Sequence, residues 1–343
     1  MSQQVTIQPS GHTFEIRAGE TVLSAAVEAG FNLPYGCRNG ACGACKGKVL
    51  SGEVYQGDYQ RNAMTEAEQA AGYALFCCAL PLTDLVIECR EVTGKDGIKP
   101  RIMPARVQKM QSLSHDVMVL QLKLPSNERM QFMPGQYIEF LLKDGKRRAF
   151  SLANAPHNDE FLELHMRLIP GGQFTEYVFN EMQEKSILRL EGPFGSFYLR
   201  EDSDRPIIFV AGGTGFAPIK GIIEHALHHN IKREMVLYWG VRALEDLYLP
   251  LLPVQWQSMH PNFKFIPVLS EPHANDNWQG RTGLVHHAVL EDHEDLSAYQ
   301  VYCCGAPQMV ETAHVEFQKR GMPEDEFFSD AFTFSNPVPK TPA

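Results

Sequence analysis

The chain has 343 residues, of which 44% are hydrophobic and 21% charged, and its net charge is −10. Such a length predicts two or three domains of roughly 100–150 residues. The acidic balance excludes a nucleic-acid binder, which needs clustered Lys and Arg, and no apolar run approaches a membrane span. The opening stretch MSQQVTIQPSGHTFEI lacks a basic start and an apolar core, so a signal peptide is not expected and a cytoplasmic monomer is. In a reducing compartment the eight cysteines (37, 42, 45, 77, 78, 89, 303, 304) read as ligands, reactive groups or buried apolar residues, not disulfides.

Residues 1–92 hold short alternating stretches at Val5–Ile7 and Phe14–Ile16. An amphipathic helix from Val22 to Ala29 follows, stopped by Gly30, and a strand runs from Asp84 to Cys89. This is a small α+β unit. Residues 93–103, TGKDGIKPRIM, read as a linker. Residues 104–200 are strand-like, in VMVLQLKL, GQYIEFLL, RAFSLAN, FLELHMRLI and SILRLEGPFG, which predicts an antiparallel barrel or sandwich. Residues 204–334 alternate strands (IIFVAG, EMVLYWG, KFIPVLS, QVYCCG) with helices at Pro218–His228, near His286–Leu290 and at Met309–Arg320. That alternation predicts a doubly wound parallel sheet. Residues 335–343 read as a tail.

The stretch YGCRNGACGACKGKV (35–49) sets Cys37, Cys42 and Cys45 at C-x4-C-x2-C, with a fourth thiol in LFCCALP as Cys77 or Cys78. This is plant-type [2Fe–2S] spacing, unlike the paired short spacings of zinc sites. Gly36, Gly40, Ala41 and Gly43 let backbone N–H groups approach cluster sulfurs. In RRAFSLAN, Arg148, Phe150 and Ser151, with Ala149 between the first two, suit a flavin phosphate, a flavin ring face and its reactive nitrogen. In PGGQFTEYV, Gly172 and Thr175 open a helix whose N-terminus suits a pyrophosphate. Gly213, Thr214 and Gly215 form a glycine turn between strand and helix, with Pro218 in place of a last small residue, as in a dinucleotide phosphate site. A second strand-to-helix turn carries Cys304, Gly305, Pro307 and Met309. Cys303, Cys78 and Cys89 read as buried residues.

Taken in order, CRNGACGAC, RAFSLAN, GGTGFAP, CCGAPQM and FFSDAFT resemble the reductase components of bacterial multicomponent oxygenases over residues 3–334. They resemble equally the reductase that serves the CDP-4-keto-6-deoxyglucose 3-dehydratase of deoxysugar synthesis. The resemblance implies a plant-type ferredoxin (β-grasp) domain, an FAD-binding β-barrel and an NAD(P)H-binding α/β domain. It implies Cys37, Cys42, Cys45 and Cys77 as cluster ligands. It puts Arg148, Ala149, Phe150, Ser151, Gly172 and Thr175 at the flavin. Gly213, Thr214, Gly215, Pro218 and Gly305 would meet the nucleotide, Cys304 the nicotinamide, and Phe332 would stack on the flavin. Phe150 stands where many relatives have tyrosine.

The order of electron flow implied is NADH to FAD to [2Fe–2S] to an electron-accepting partner protein, because the flavin can take a hydride and release single electrons. Glu245 and Asp246 favour NADH, whereas Arg242 leaves NADPH open. Arg38, Lys46 and Lys48, close to the ligands, are expected to form the partner-docking surface. A redox sensor is the alternative class, but no output module accompanies the cluster.

Overall fold

The computed structural model describes residues 2–91, 98–126 and 128–333. Residues 93–97 of the expected linker and the tail at 335–343 lie outside the described residues. The first unit runs β1 (Gln3–Gln8), β2 (Thr13–Ile16), α1 (Val22–Ala29), β3 (Lys46–Ser51), β4 (Val54–Gln56), α2 (Glu66–Ala70), β5 (Tyr73–Leu75), β6 (Ala79–Pro81) and β7 (Leu85–Glu88). Its main sheet has the order β2–β1–β7–β3–β5, with β1 and β7 parallel. The helix α1 stops at Gly30, as its sequence indicates, and is capped at its start by Thr21. The Thr21 hydroxyl accepts from the Ser24 N–H, and Gly30 closes the helix at φ 92°. Its buried face, Val22, Leu23, Ala25 and Ala26, packs on the Val5, Ile7 and Ile87 side of the sheet, giving the β-grasp arrangement.

The second unit is β8 (Arg101–Ser112), β9 (Val117–Lys123), β10 (Tyr137–Leu141), β11 (Arg147–Ser151), β12 (Leu162–Arg167), α3 (Gln173–Asn180) and β13 (Ile187–Phe194). The sheet order is β11–β10–β13–β8–β9–β12, and a bridge between Leu152 and Leu164 joins the two ends into a barrel. The first strand starts at Arg101, inside the stretch read as linker. Met103, Ala105 and Val107 point into the core and their neighbours to solvent, the period of a half-buried strand.

The third unit is β14 (Ile207–Gly212), α4 (Phe216–His228), β15 (Met235–Val241), α5 (Leu251–Met259), β16 (Phe263–Leu269), β17 (Arg281–Thr282), α6 (Val285–Asp292), β18 (Gln300–Gly305), α7 (Pro307–Gln318) and β19 (Phe327–Ala331). Its sheet is wholly parallel, in the order β17–β16–β15–β14–β18–β19. The strand order reverses at β14, so the crevice beyond the carboxyl ends of β14 and β18 is where an open α/β sheet takes its ligand.

Two polar junctions fix the units to one another. Between ferredoxin unit and barrel, the Tyr137 hydroxyl donates to the Gly36 carbonyl at 2.6 Å, and Ser196 pairs with the backbone of Tyr35 at 2.9 and 3.0 Å. Between barrel and nucleotide unit, buried Lys220 on α4 reaches Glu163 at 3.1 Å and the Ala153 carbonyl at 3.1 Å. His165 joins Glu163 to the Tyr248 hydroxyl, each contact at 3.0 Å. Burial alone would raise the Glu163 carboxyl. His165 and Lys220 outweigh it and hold the pKa at about 2.

Candidate functional site

The loop between α1 and β3 gathers the first three thiols, and the segment between β5 and β6 brings the fourth. The Cys37 thiol is held to about 7 by a hydrogen bond from Cys42, and the Cys77 thiol to about 4 by one from Cys45. The N–H groups of Ala41 and Cys42 both donate to the Cys37 sulfur at 3.3 Å, and that of Cys37 donates to the Cys42 sulfur at 3.3 Å. Gly40 and Gly43 take φ of +74° and +77°. A Cβ on Gly40 would lie 2.8 Å from the Cys78 sulfur and 2.9 Å from Tyr59 Cβ, so the cradle has no room for a side chain. Paired thiols, N–H donors aimed at sulfur and a glycine cradle are what a thiolate-held iron–sulfur cluster requires, and these residues fit one. Cys78 is half-buried, 3.5 Å from the Cys77 sulfur, and faces Gly40; it is not a core cysteine. Cys89 and Cys303 are buried, as read.

On the barrel, Ser151 ends β11 buried, and its hydroxyl donates to Asp330 at 3.3 Å. Phe150 is half-buried, with Phe140 at 5.8 Å and Phe174 at 5.7 Å between ring centres. Ala149 is exposed, and Arg148 is half-exposed with its guanidinium on the Arg147 carbonyl at 2.8 Å. Gly172 caps α3. The Thr175 hydroxyl accepts from the Ile169 N–H at 3.1 Å and donates to the Gly172 carbonyl at 3.1 Å, so it closes the turn from inside. Gly171 N–H, at that helix start, donates to Glu176 at 2.7 Å.

On the nucleotide side, Gly213–Gly215 form a single 3-10 turn leading into α4, which starts at Phe216 with Pro218 buried in its first turn. Gly215 packs face to face with the second loop. A Cβ there would lie 2.1 Å from the Cys304 carbonyl oxygen, and one on Gly305 would lie 3.1 Å from Gly212 Cα. Cys304 is fully buried at the end of β18, and burial pushes its thiol well above its ordinary range. Phe332 follows β19, its N–H donating to the Gly305 carbonyl at 2.8 Å, and its ring packs beside the core that holds Cys304.

The residue that sequence reasoning missed is Asp330. It sits opposite Cys304 in the β18–β19 register and accepts from Ser151, and a Cβ on Gly36 would lie 3.9 Å from its Oδ1. Burial raises its carboxyl to about 6, against the opposing pull of Ser151. One carboxylate thus bonds the barrel strand, stands on the nucleotide sheet and lies near Gly36 of the cysteine loop. An acid within the apolar run FFSDAFT was the signal available. The expected docking charges are also redirected. Arg38 lies 4.1 Å over the Phe194 ring and 3.5 Å from buried Glu139, and Lys46 bonds Glu68 at 2.5 Å. Arg38 therefore helps hold the loop to the barrel.

Three families match successive parts of the chain: the 2Fe-2S iron-sulfur cluster binding domain over residues 5–82, the oxidoreductase FAD-binding domain over 104–198 and the oxidoreductase NAD-binding domain over 209–315. The chain is 38% identical to the CDP-6-deoxy-L-threo-D-glycero-4-hexulose-3-dehydrase reductase of Yersinia pestis over 333 residues, 97% of this chain and 99% of that protein. It is 34% identical to reductase component 1 of the terephthalate 1,2-dioxygenase of Comamonas sp, over 98% of each chain. The crystal structure of the cytochrome P450 reductase GcoB of Amycolatopsis superposes with a TM-score of 0.83 at 34% identity, covering 97% of this chain and 100% of that one. The chain belongs to this family of NAD-linked iron–sulfur flavoprotein reductases, enzymes that use FAD and a [2Fe–2S] cluster to pass electrons to a partner protein.

Proposed function

We propose that Cys37, Cys42, Cys45 and Cys77 hold the cluster and that the barrel face around Phe150 and Ser151 holds the FAD ring. In the same reading, the crevice between Gly213–Gly215 and Cys304–Gly305 takes the nicotinamide. The observation that carries this reading is Asp330, which bonds Ser151, pairs with Cys304 in the strand register and lies near Gly36 of the cysteine loop. When bound, the flavin supplies the exchange between two-electron and one-electron transfer. The protein's part is placement and proton control. Ser151 Oγ is oriented by Asp330 Oδ2, and a carboxyl with a pKa of about 6 holds or releases a proton at that oxygen near neutral pH. Cys304, kept neutral by burial, offers an uncharged wall to the nicotinamide. Cys77 serves as fourth ligand because its thiol bonds to Cys45, whereas the Cys78 thiol contacts Cys77 at 3.5 Å. Glu245 is exposed beyond β15 and favours NADH; Asp246 is occupied with the Ala243 N–H at 3.0 Å.

The acceptor we assign is a dehydrase acting on a CDP-linked deoxyhexulose, supported by 38% identity to the reductases named for that enzyme against 34% for the terephthalate dioxygenase reductase. Eight free thiols suit the reducing cytoplasm. All sites lie on one chain, which suits a monomer. Mixing the NADH-reduced protein with a purified dehydrase of this class and, separately, with a dioxygenase component tests the assignment. Rapid reoxidation by the dehydrase alone supports it, and rapid reoxidation by the oxygenase alone transfers the reading to that class.

A further inference from the structure

On the far side of the nucleotide unit, α6 packs against α7. His286 and His287 on α6 face Glu316 on α7, and one ligand atom from each of the three lies within 4.8 Å of the others. The His286 Nε2 is 3.4 Å from Glu316 Oε2, and the His287 Nε2 is 3.7 Å from the same oxygen. Two features set this cluster apart from a chance surface grouping. His286 is 3% exposed, yet neither of its ring nitrogens has a hydrogen-bond partner among the described residues. The buried Glu316 Oε2 lacks one as well. Buried polar atoms almost always find a partner, and His286 Nε2 and Glu316 Oε2, both unpartnered, lie side by side, which calls for a missing group between them.

We propose that His286, His287 and Glu316 form a zinc site that clamps α6 to α7. Two imidazole nitrogens and one carboxylate oxygen are zinc donors, at about 2.0–2.2 Å from the metal, which separates neighbouring donors in a tetrahedron by about 3.4 Å. The two histidine–glutamate edges, at 3.4 and 3.7 Å, are close to that value, and the histidine–histidine edge lies within 4.8 Å. The exposed side of His287 leaves the fourth position to water. The clamp bears on α7, whose first residue, Pro307, follows directly on the Cys304–Gly305 loop. The other three-residue grouping, His115, Asp116 and Asp246, lacks such orphans, because Arg167 occupies Asp116 at 2.7 Å.

The test uses the untagged holoprotein, with cluster and flavin in place, dialysed against zinc chloride. The expected content is about one zinc per chain beside about two irons, with the cluster and flavin absorption unchanged. Zinc-edge X-ray absorption should show nitrogen and oxygen neighbours only. Glu316→Gln and His287→Gln, both on the solvent side of the site, should each weaken zinc binding by more than about tenfold and remove the zinc-dependent rise in unfolding temperature. Sulfur neighbours at about 2.3 Å would place the zinc in the cysteine loop and overturn the proposal. So would zinc binding that both variants retain, or that His228→Gln, in the separate histidine group at the end of α4, abolishes instead.

Discussion

Gly215→Ala tests the contact between the two nucleotide loops most directly. The backbone at Gly215 has φ −59° and ψ −14°, values open to any residue, so the substitution carries no dihedral strain. Space is the whole issue. The added methyl would lie 2.1 Å from the Cys304 carbonyl oxygen, 2.5 Å from its carbon and 2.9 Å from the Gly305 nitrogen. All three are backbone atoms, so no rotamer relieves the overlap. Restoring ordinary contact at about 3.5 Å requires the start of α4 and the end of β18 to part by about 1.4 Å. Overpacking of this kind costs about 1–3 kcal/mol of stability. The functional loss should be larger in proportion, since a 1 Å misplacement of a reacting group costs about 100-fold in rate. Anaerobic stopped-flow mixing with NADH reads this as slower bleaching of the flavin, with the cluster absorption of the oxidised protein unchanged. Flavin reduction within about twofold of the unsubstituted rate, in a protein of normal FAD content, would refute the claim that this contact aligns the nucleotide.

Cys42→Ser replaces a thiolate with a hard hydroxyl that binds iron poorly, so the variant should lose most of its iron while NADH still bleaches the flavin and electrons still reach ferricyanide; loss of flavin reduction in a folded, FAD-replete variant would contradict the division of roles. Cys304→Ala should do the reverse, leaving the cluster spectrum intact and slowing reduction by NADH; an unchanged rate would remove Cys304 from the nicotinamide pocket. Lys220→Met leaves Glu163 and Glu224 buried without their cation and should cost about 3–5 kcal/mol in urea unfolding at pH 7. Because the Glu163 pKa in the fold is about 2, below its unfolded value, its stabilisation is present above the unfolded pKa and fades as pH falls toward 2, so the deficit should shrink in acid; a pH-independent deficit would contradict the pairing. Asp330→Asn should abolish an ionisation near pH 6 in the pH profile of NADH-driven turnover, and an identical profile in both proteins would show that the carboxyl takes no part.

What was legible in the sequence was what is local. The cysteine loop could be read because its first three thiols fall within nine residues, and α1 because its apolar spacing ends at Gly30. The start of β8 was hidden by the Lys–Pro composition before it and by Pro104, which reads as a strand breaker yet lies on the solvent side opposite Arg189. Helix α5 was missed because Pro250 and Pro253 flank its first turn. Proline is tolerated there, since the first N–H groups of a helix have no partner inside it. Arg38 and Asp330 were illegible for a different reason. Glu139, which draws Arg38 inward, and Ser151, which bonds Asp330 across 179 positions, are neighbours only after three units have docked. Charge near a ligand in sequence says nothing about which way the side chain turns.

The register of the barrel explains why those distant contacts converge. Tyr137 on β10 and Ser151 on β11 are direct cross-strand partners. Tyr137 holds the cysteine loop through the Gly36 carbonyl, and Ser151 holds the nucleotide sheet through Asp330. Directly paired residues share a face and stand about 5 Å apart, so one rung of the barrel fastens both neighbours. The distance between the cysteine loop and the nucleotide crevice is then set by that rung and not by the connecting segment between the first two units. A slip of one residue by β11 against β10 would turn Ser151 to the opposite face and break its bond to Asp330. The rings of Phe140 on β10 and Phe150 on β11, packed with Phe174 of α3, oppose such a slip, because they bury the other face of the same two strands. Phe150 thus has a structural duty beside its proposed place at the flavin. A tyrosine hydroxyl is not needed for that duty, because the ring's partners there are the apolar Phe140 and Phe174.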